Sequence, residues 1–255
     1  VEDLSIANYT LSPHTFVQAE HCPRARVYRG PKQATSQANW HGIAVHLFLQ
    51  YAVDRGRDYA MGYIRRKFRR LEAFFAELDL SPLPEDGTVE PQFIINTRER
   101  MSVLVAKGEE RGLADPRQHV IVRGDLLATT PDEAPWVIDY KSGKNPKPPH
   151  ESLQSMIEAA AAFTAHPQRP PYVRASVFNV TRVEETNRVT IVQQHHQFDA
   201  NDIEQILTRI RRVHLSVLET RAELRDEGIE PEAVPGEWCR YCQANSACDR
   251  SAFKE

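Results

Sequence analysis

"VIDYKSGK", residues 137–144, passes from two apolar β-formers to an acid, Asp139, then through Tyr140 to Lys141, and closes in a Ser-Gly turn. Side chains on a strand alternate with period two, so Asp139 and Lys141 leave it on the same face. Taken alone, the pair reads as a surface ion pair at a strand end. Its upstream neighbour adds a second acid. "HVIVRGDLLAT", residues 119–129, has the β-branched and aliphatic content of a strand, and "TPDEAP", residues 130–135, supplies a turn, so the two runs predict a β-hairpin. With Asp125 and Asp139 at adjacent strand ends, two carboxylates converge on one oxygen-ligated cation, an arrangement that suits magnesium, and Lys141 points into the same place. Such a site activates a water and stabilises charge on a phosphate while the ammonium orients the nucleophile or offsets the phosphorane charge. That is the chemistry of phosphodiester hydrolysis.

The rest of the 255-residue chain frames this motif. It is long enough to bury a core, as one elaborated domain. With 32 basic and 35 acidic residues the net charge is −3, so no overall positive field draws in nucleic acid and any DNA contact relies on local patches. No apolar run approaches a membrane span, and the polar start "VEDLSIANYT" lacks a signal-peptide core, so a cytoplasmic protein without membrane contact is expected. Phosphate-binding glycine loops are absent, and a helicase motor would have to be a separate protein.

Helices are predicted from Pro13, capped by Ser12; over "HGIAVHLFLQYAVDRG", residues 41–56; and over residues 60–80 as one amphipathic helix. In residues 89–118, "FIIN" predicts a strand and "RERMSVLVAKGEERG" a helix. Ala-rich "HESLQSMIEAAAAFTAH", residues 150–166, predicts a helix, followed by strands over 172–180 and 188–198, and a long helix from Asp199 or Asn201 to about Arg225. The sum is an α/β fold with a small mixed sheet flanked by helices. His46 on the second helix reads as a packed histidine or a ligand, and His195 and His196 as packing or surface residues. Glu90 reads as a further acid, although Pro91 beside it argues for a loop.

The ordered set Gly42-x-x-x-His46, Gly124-Asp125, Asp139-Tyr140-Lys141 and Gln154 resembles the PD-(D/E)XK nuclease superfamily, in its RecB-type branch, over most of the chain. The resemblance implies a restriction-endonuclease-like core in a single domain spanning 1–255. A helical part covers 12–85, the sheet-containing core 89–198, and a helix with a cysteine tail 199–255. It implies Mg2+ or Mn2+ bound by His46, Asp125, Asp139 and the backbone carbonyl of Tyr140, with Lys141 catalytic and Gln154 assisting. The chain departs from the family pattern four residues after Gln154, where Glu158 replaces the usual Tyr.

Cys22, Cys239, Cys242 and Cys248 form a second signal. A chain of this size without a visible export signal has no need of disulfide staples, so a metal or cluster is favoured. The spacing C-x2-C-x5-C with one remote cysteine, in the context "HCPRARVY", resembles the iron-sulfur staple of the AddB subunit and of CRISPR-adaptation nucleases of the same branch. This implies a 4Fe-4S cluster; zinc and unligated thiols remain alternatives. Arg24 and Arg26 flank Cys22, and "IRRKFRR" carries Arg65, Arg66 and Arg69, giving candidate DNA contacts or a solvated face. The implied function is a metal-dependent DNA nuclease, an exonuclease on ends or single strands. It would be partnered by a separate helicase, recombinase or integrase-type protein. The alternative is an inactive DNA-binding or assembly subunit with the same fold.

Overall fold

The computed structural model describes residues 13–27, 37–143, 145–183, 186–242 and 248. The Ser12 cap, Lys144 and residues 243–247 of the cysteine tail lie outside the described residues. Helix α1 spans Pro13–His21 and leads into a 3-10 turn, Pro23–Arg26; α2 spans Gln37–Arg55, α3 Arg57–Lys67 and α4 Glu72–Ala76. Strands β1 (Thr88–Val89), β2 (Gln92–Asn96) and β3 (Met101–Val105) are followed by a short helix, α5 (Glu110–Leu113). Then come β4 (His119–Arg123), β5 (Leu126–Thr129), β6 (Pro135–Lys141), α6 (Leu153–Ala165), β7 (Tyr172–Arg182), β8 (Val189–Asp199) and α7 (Ala200–Glu227), with a last 3-10 turn over Glu237–Tyr241. Among the described residues no helix is long and apolar enough to cross a membrane.

The main sheet has the order β1-β5-β6-β7-β8, parallel between β6 and β7 and antiparallel elsewhere; a smaller antiparallel sheet has the order β3-β2-β4. Helices cover both faces of the main sheet. On one side, α1, α6 and α7 bury Phe16, Val137, Val173, Ala175 and Ile203, together with Phe93 and Val122 of the small sheet. On the other, α2, α3 and α4 bury Val45, Phe48, Ile64 and Phe75 against Ile138, Tyr140 and Phe178. This is the mixed α/β core with flanking helices that the sequence implies. Ala159, Ala160, Ala161 and Ala162 are completely buried, so α6 sits with its backbone close to the sheets.

Three sequence expectations are corrected. Residues 119–129 do not form one strand of a simple hairpin. They run antiparallel to residues 88–96 in an unbroken register, Val89 facing Leu126 and Gln92 facing Arg123, but the ribbon bends so that each half joins a different sheet. At the bend Glu90 N–H donates to Asp125 O (2.9 Å) and Gly124 N–H to Pro91 O (3.0 Å), so no backbone pairing is lost there. Glu90 adopts a positive φ of 49°, and Gly124 leaves room for the Pro91 ring. The hairpin pairing of β5 with β6 does form.

The predicted helix over 98–112 is instead a turn, strand β3 and, only from Glu110, the short helix α5. Asn96 Oδ1 accepts from the amides of Arg98 and Glu99, both at 3.0 Å, making a side-chain-stabilised turn that sends the chain back along β2. Ser102 is buried and donates to the Ala161 carbonyl, which fixes β3 on α6. The single helix over 60–80 breaks at Phe68, whose φ of −135° and ψ of 42° end α3 and start a 3-10 turn over Arg69–Leu71. The long helix α7 is as expected, with Asp199 and Asp202 forming a capping box and Gly228 in the left-handed conformation at its end. Arg209 and Arg212 of α7 grip Glu20 of α1 at 2.6 and 3.1 Å.

A Cβ at residue 124 would stand 3.2 Å from Pro91 Cγ and 3.6 Å from the Glu158 carboxyl carbon. Gly124→Ala should therefore destabilise the protein by about 1–3 kcal/mol, the usual cost of overpacking. A urea midpoint unchanged from wild type would show that the bend has slack.

Candidate active site

The bend and β6 assemble the site. Asp125 emerges from the bend, and its Oδ2 accepts the backbone N–H of Tyr140 at 2.7 Å, which anchors the carboxylate beside the end of β6. Asp139, on the face of β6 that turns toward α6, is 1 % exposed. Lys141, two residues on and on the same face, brings Nζ to 2.8 Å from Asp139 Oδ1. The first turn of α6, capped by Ser152, returns Gln154 to this point: its Oε1 accepts from Lys141 Nζ at 3.0 Å, and its Nε2 donates to Glu158 Oε1 at 2.9 Å. Asp139, Lys141, Gln154 and Glu158 thus form one polar chain between the sheet and α6.

His46 approaches from the other side. It sits on α2, its ring edge-on to Tyr140 at 5.9 Å, with Nδ1 at 3.5 Å from Asp125 Oδ2. The Tyr140 phenol packs in the α2 layer, so Tyr140 serves the site through its backbone. His46 therefore meets Asp125, while Lys141 meets Asp139. Among the described residues no three His, Cys, Asp or Glu side chains stand close enough together to hold a metal ion.

The electrostatics nevertheless suit a cation. Burial pushes the Asp125 carboxyl up to about 6, against the opposing pull of the Tyr140 amide and the Lys141 charge. Burial also pushes Asp139 up to about 7, with Lys141 opposing and the Asp125 charge adding to the rise. Glu158 is driven well above the usual carboxylate range by burial and by these two acids. Burial would lower Lys141, but the neighbouring carboxylates, Asp139 first, hold it above its ordinary value. Burial keeps His46 low, so its imidazole is neutral and able to act as a ligand. One ammonium therefore faces three acids that hold on to their protons, which an entering cation would displace, and among the described residues no donor reaches Asp139 Oδ2. An oxygen-rich set of this kind suits a hard divalent ion.

Matching against models of protein families aligns residues 10–249 with the PD-(D/E)XK nuclease superfamily, and the chain belongs to that superfamily, whose members are generally nucleases working with divalent metal ions. No curated protein matches the chain.

The other predicted site residues are dispersed. Arg26 is turned inward: its Nε donates to Ala19 O at 2.8 Å and its Nη1 to Thr220 Oγ1 at 3.1 Å, so it joins α1 to α7. Arg24 lies in the same 3-10 turn. Arg65 is paired with Glu72 at 2.7 Å, whereas Arg66 and Arg69 are exposed and, among the described residues, carry no ion pair. Cys22 and Cys239 are buried, Cys242 and Cys248 are half-buried, and no disulfide joins them. His21 stacks on Trp238 at 4.6 Å, so the residues immediately before Cys22 and Cys239 are in contact, but among the described residues no three of the cysteines stand close enough together to hold a metal. Glu158 is the site residue that motif reading set aside. Its signal was its position, one helical turn after Gln154, as the one acid in an apolar run. Glu90 lies nearby, paired with Lys107, and its charge is felt at His46 and Asp125.

Asp125 and Asp139 hold their protons more tightly folded than unfolded. The stability this contributes is complete below the ordinary carboxylate pKa and is lost as pH rises through about 6 and about 7. The melting temperature of metal-free protein should fall from about pH 5 to about pH 8, and Asp139→Asn should flatten that fall. Parallel curves for the two proteins would refute burial of charge at Asp139.

Proposed function

We propose that the protein is a metal-dependent deoxyribonuclease, an exonuclease acting on DNA ends or single strands, stapled by a 4Fe-4S cluster. The observation that supports this reading best is the Asp125–Asp139 carboxylate pair with Lys141 suspended between Asp139 and Gln154. Magnesium or manganese bound by the two carboxylates would supply Lewis-acid polarisation of the phosphate and acidify a water. The chain's own groups then have distinct tasks. Lys141 offers N–H donors to the attacking water and offsets charge growing on the phosphoryl oxygens. Gln154 holds that ammonium in register, and its second bond to Glu158 fixes the amide's orientation. The Tyr140 amide keeps Asp125 from rotating away, and neutral His46 supports Asp125 from the α2 side.

The four cysteines are the cluster ligands in this reading. The His21–Trp238 contact supports it by bringing the segments that carry Cys22 and Cys239 together. Arg66 and Arg69 supply local positive charge for the DNA backbone, and a helicase, recombinase or integrase-type protein would work alongside.

End-labelled DNA incubated with protein purified away from air, with magnesium or manganese, tests the activity. Wild type should shorten the label from an end, and Asp139→Ala or Lys141→Ala should lower the rate at least about a thousandfold without unfolding the protein. Cleavage by either variant at the wild-type rate would sink the assignment, and a folded wild type that binds DNA without cutting it would make the protein an assembly subunit. The same preparation should be brown, absorb broadly near about 400 nm, and contain iron and sulfide. Cys22→Ser should bleach it and lower the melting temperature, whereas a colourless, zinc-loaded wild type would replace the cluster by zinc.

A further inference from the structure

Three tryptophans are present, and two are tied into the fold. Trp136 Nε1–H donates to Ser176 Oγ at 2.7 Å and Trp238 Nε1–H to Val234 O at 2.9 Å. Trp40 differs. It is 53 % exposed, and among the described residues its indole N–H has no acceptor. Among the described residues its ring has one aromatic neighbour, Phe68, edge-on at 5.8 Å. Ile43, one helical turn further along α2, is 41 % exposed and extends the apolar ledge.

The location of this ledge gives it a purpose. A Cβ on Gly42 would stand 3.4 Å from Ser142 Oγ, so the first turns of α2 cross the end of β6 one residue past Lys141. Trp40 precedes His46 by six residues, about 9 Å along the helix axis and about 120° around it, so a strand stacked on the indole passes over α2 within the reach of a few nucleotides to arrive at the site. Phe68, which steadies the indole, is the residue at which α3 breaks. The break therefore sets Arg66 and Lys67 before the aromatic contact and Arg69 and Arg70 after it, all exposed and, among the described residues, without ion pairs. An accessible ring face beside unpaired guanidinium groups, next to phosphodiester chemistry, matches the needs of unpaired bases on a charged backbone: stacking is tolerant of sequence, and arginines follow the phosphates. Inside a duplex both faces of each base are taken up by stacking, and only the terminal pair leaves one face free.

From this geometry we infer that Trp40 is a base-stacking platform for single-stranded DNA, which leads the strand across α2 toward Lys141 while Arg66 and Arg69 hold its phosphates. The inference rests on the nuclease reading and narrows it to unpaired strands. It goes to direct test in full-length protein with phosphorothioate-linked oligo(dT) and a blunt duplex of equal length. Oligo(dT) should quench wild-type tryptophan fluorescence, and Trp40→Phe should abolish that quenching while keeping most of the affinity. Trp40→Ala should weaken oligo(dT) binding about tenfold, leave duplex binding within about twofold, and melt with wild type. Wild-type cleavage of DNA with Trp40→Ala indistinguishable in oligo(dT) binding would overturn the platform alone, as would an equal loss on single strand and duplex. A wild type that neither binds nor cuts any DNA would overturn the nuclease reading and the platform with it.

Discussion

The 2.7 Å hydrogen bond from the Tyr140 amide to the Asp125 carboxylate joins two parts of the chain that belong to different structural problems. Asp125 stands where an antiparallel ribbon leaves one sheet for another; Tyr140 stands at the end of a strand paired in parallel to its next neighbour. Without that bond, an acid at a bend would turn to solvent, the cheaper place for a charge. With it, Asp125 is only 12 % exposed and lies beside Asp139, and the cost of burying both falls on their protonation. Lys141, Gln154 and Glu158 are arranged around that cost. The ammonium meets Asp139, and the Gln154 amide bridges it to Glu158.

Much of this was legible in the chain. The Asp139-x-Lys141 pair lies on one strand face because strands alternate, and Gln154 returns to it because α6 begins just after a capping serine. What was not legible depends on contacts distant in sequence. The division of residues 119–129 between two sheets falls where Pro91, which cannot donate a hydrogen bond, packs its ring against Gly124. Strand β3 was hidden because Val and Leu suit either state in so short a run; the Asn96 turn and the buried Ser102 bond to α6 decide it. The break at Phe68 was equally silent, since nothing in "IRRKFRRLEAFF" forbids a continuous helix. The burial of Glu158 is tertiary: it packs behind Gly124, where a side chain would intrude.

Helix α1 and the turn after it are bound to α7 and to the last 3-10 turn through independent contacts. Glu20 is gripped by two arginines of α7, Arg26 bonds to Thr220, and His21 stacks on Trp238. Each contact links positions about 190 or more residues apart, so each closes nearly the whole chain and its entropic cost is shared once the first has formed.

The alanine run of α6 has a consequence for how the protein tolerates change. Helix α6 carries Gln154 and Glu158 on its first turns and is seated through Ala159, Ala160, Ala161 and Ala162, none of which has any exposed surface. Added methyl groups at these positions have nowhere to go except to lift the helix, and the lift is transmitted along a rigid rod to the amide that holds Lys141. The positions on which the placement of this polar chain depends therefore include small, uncharged residues that touch none of its members, and substitution there is limited by the thickness of a backbone.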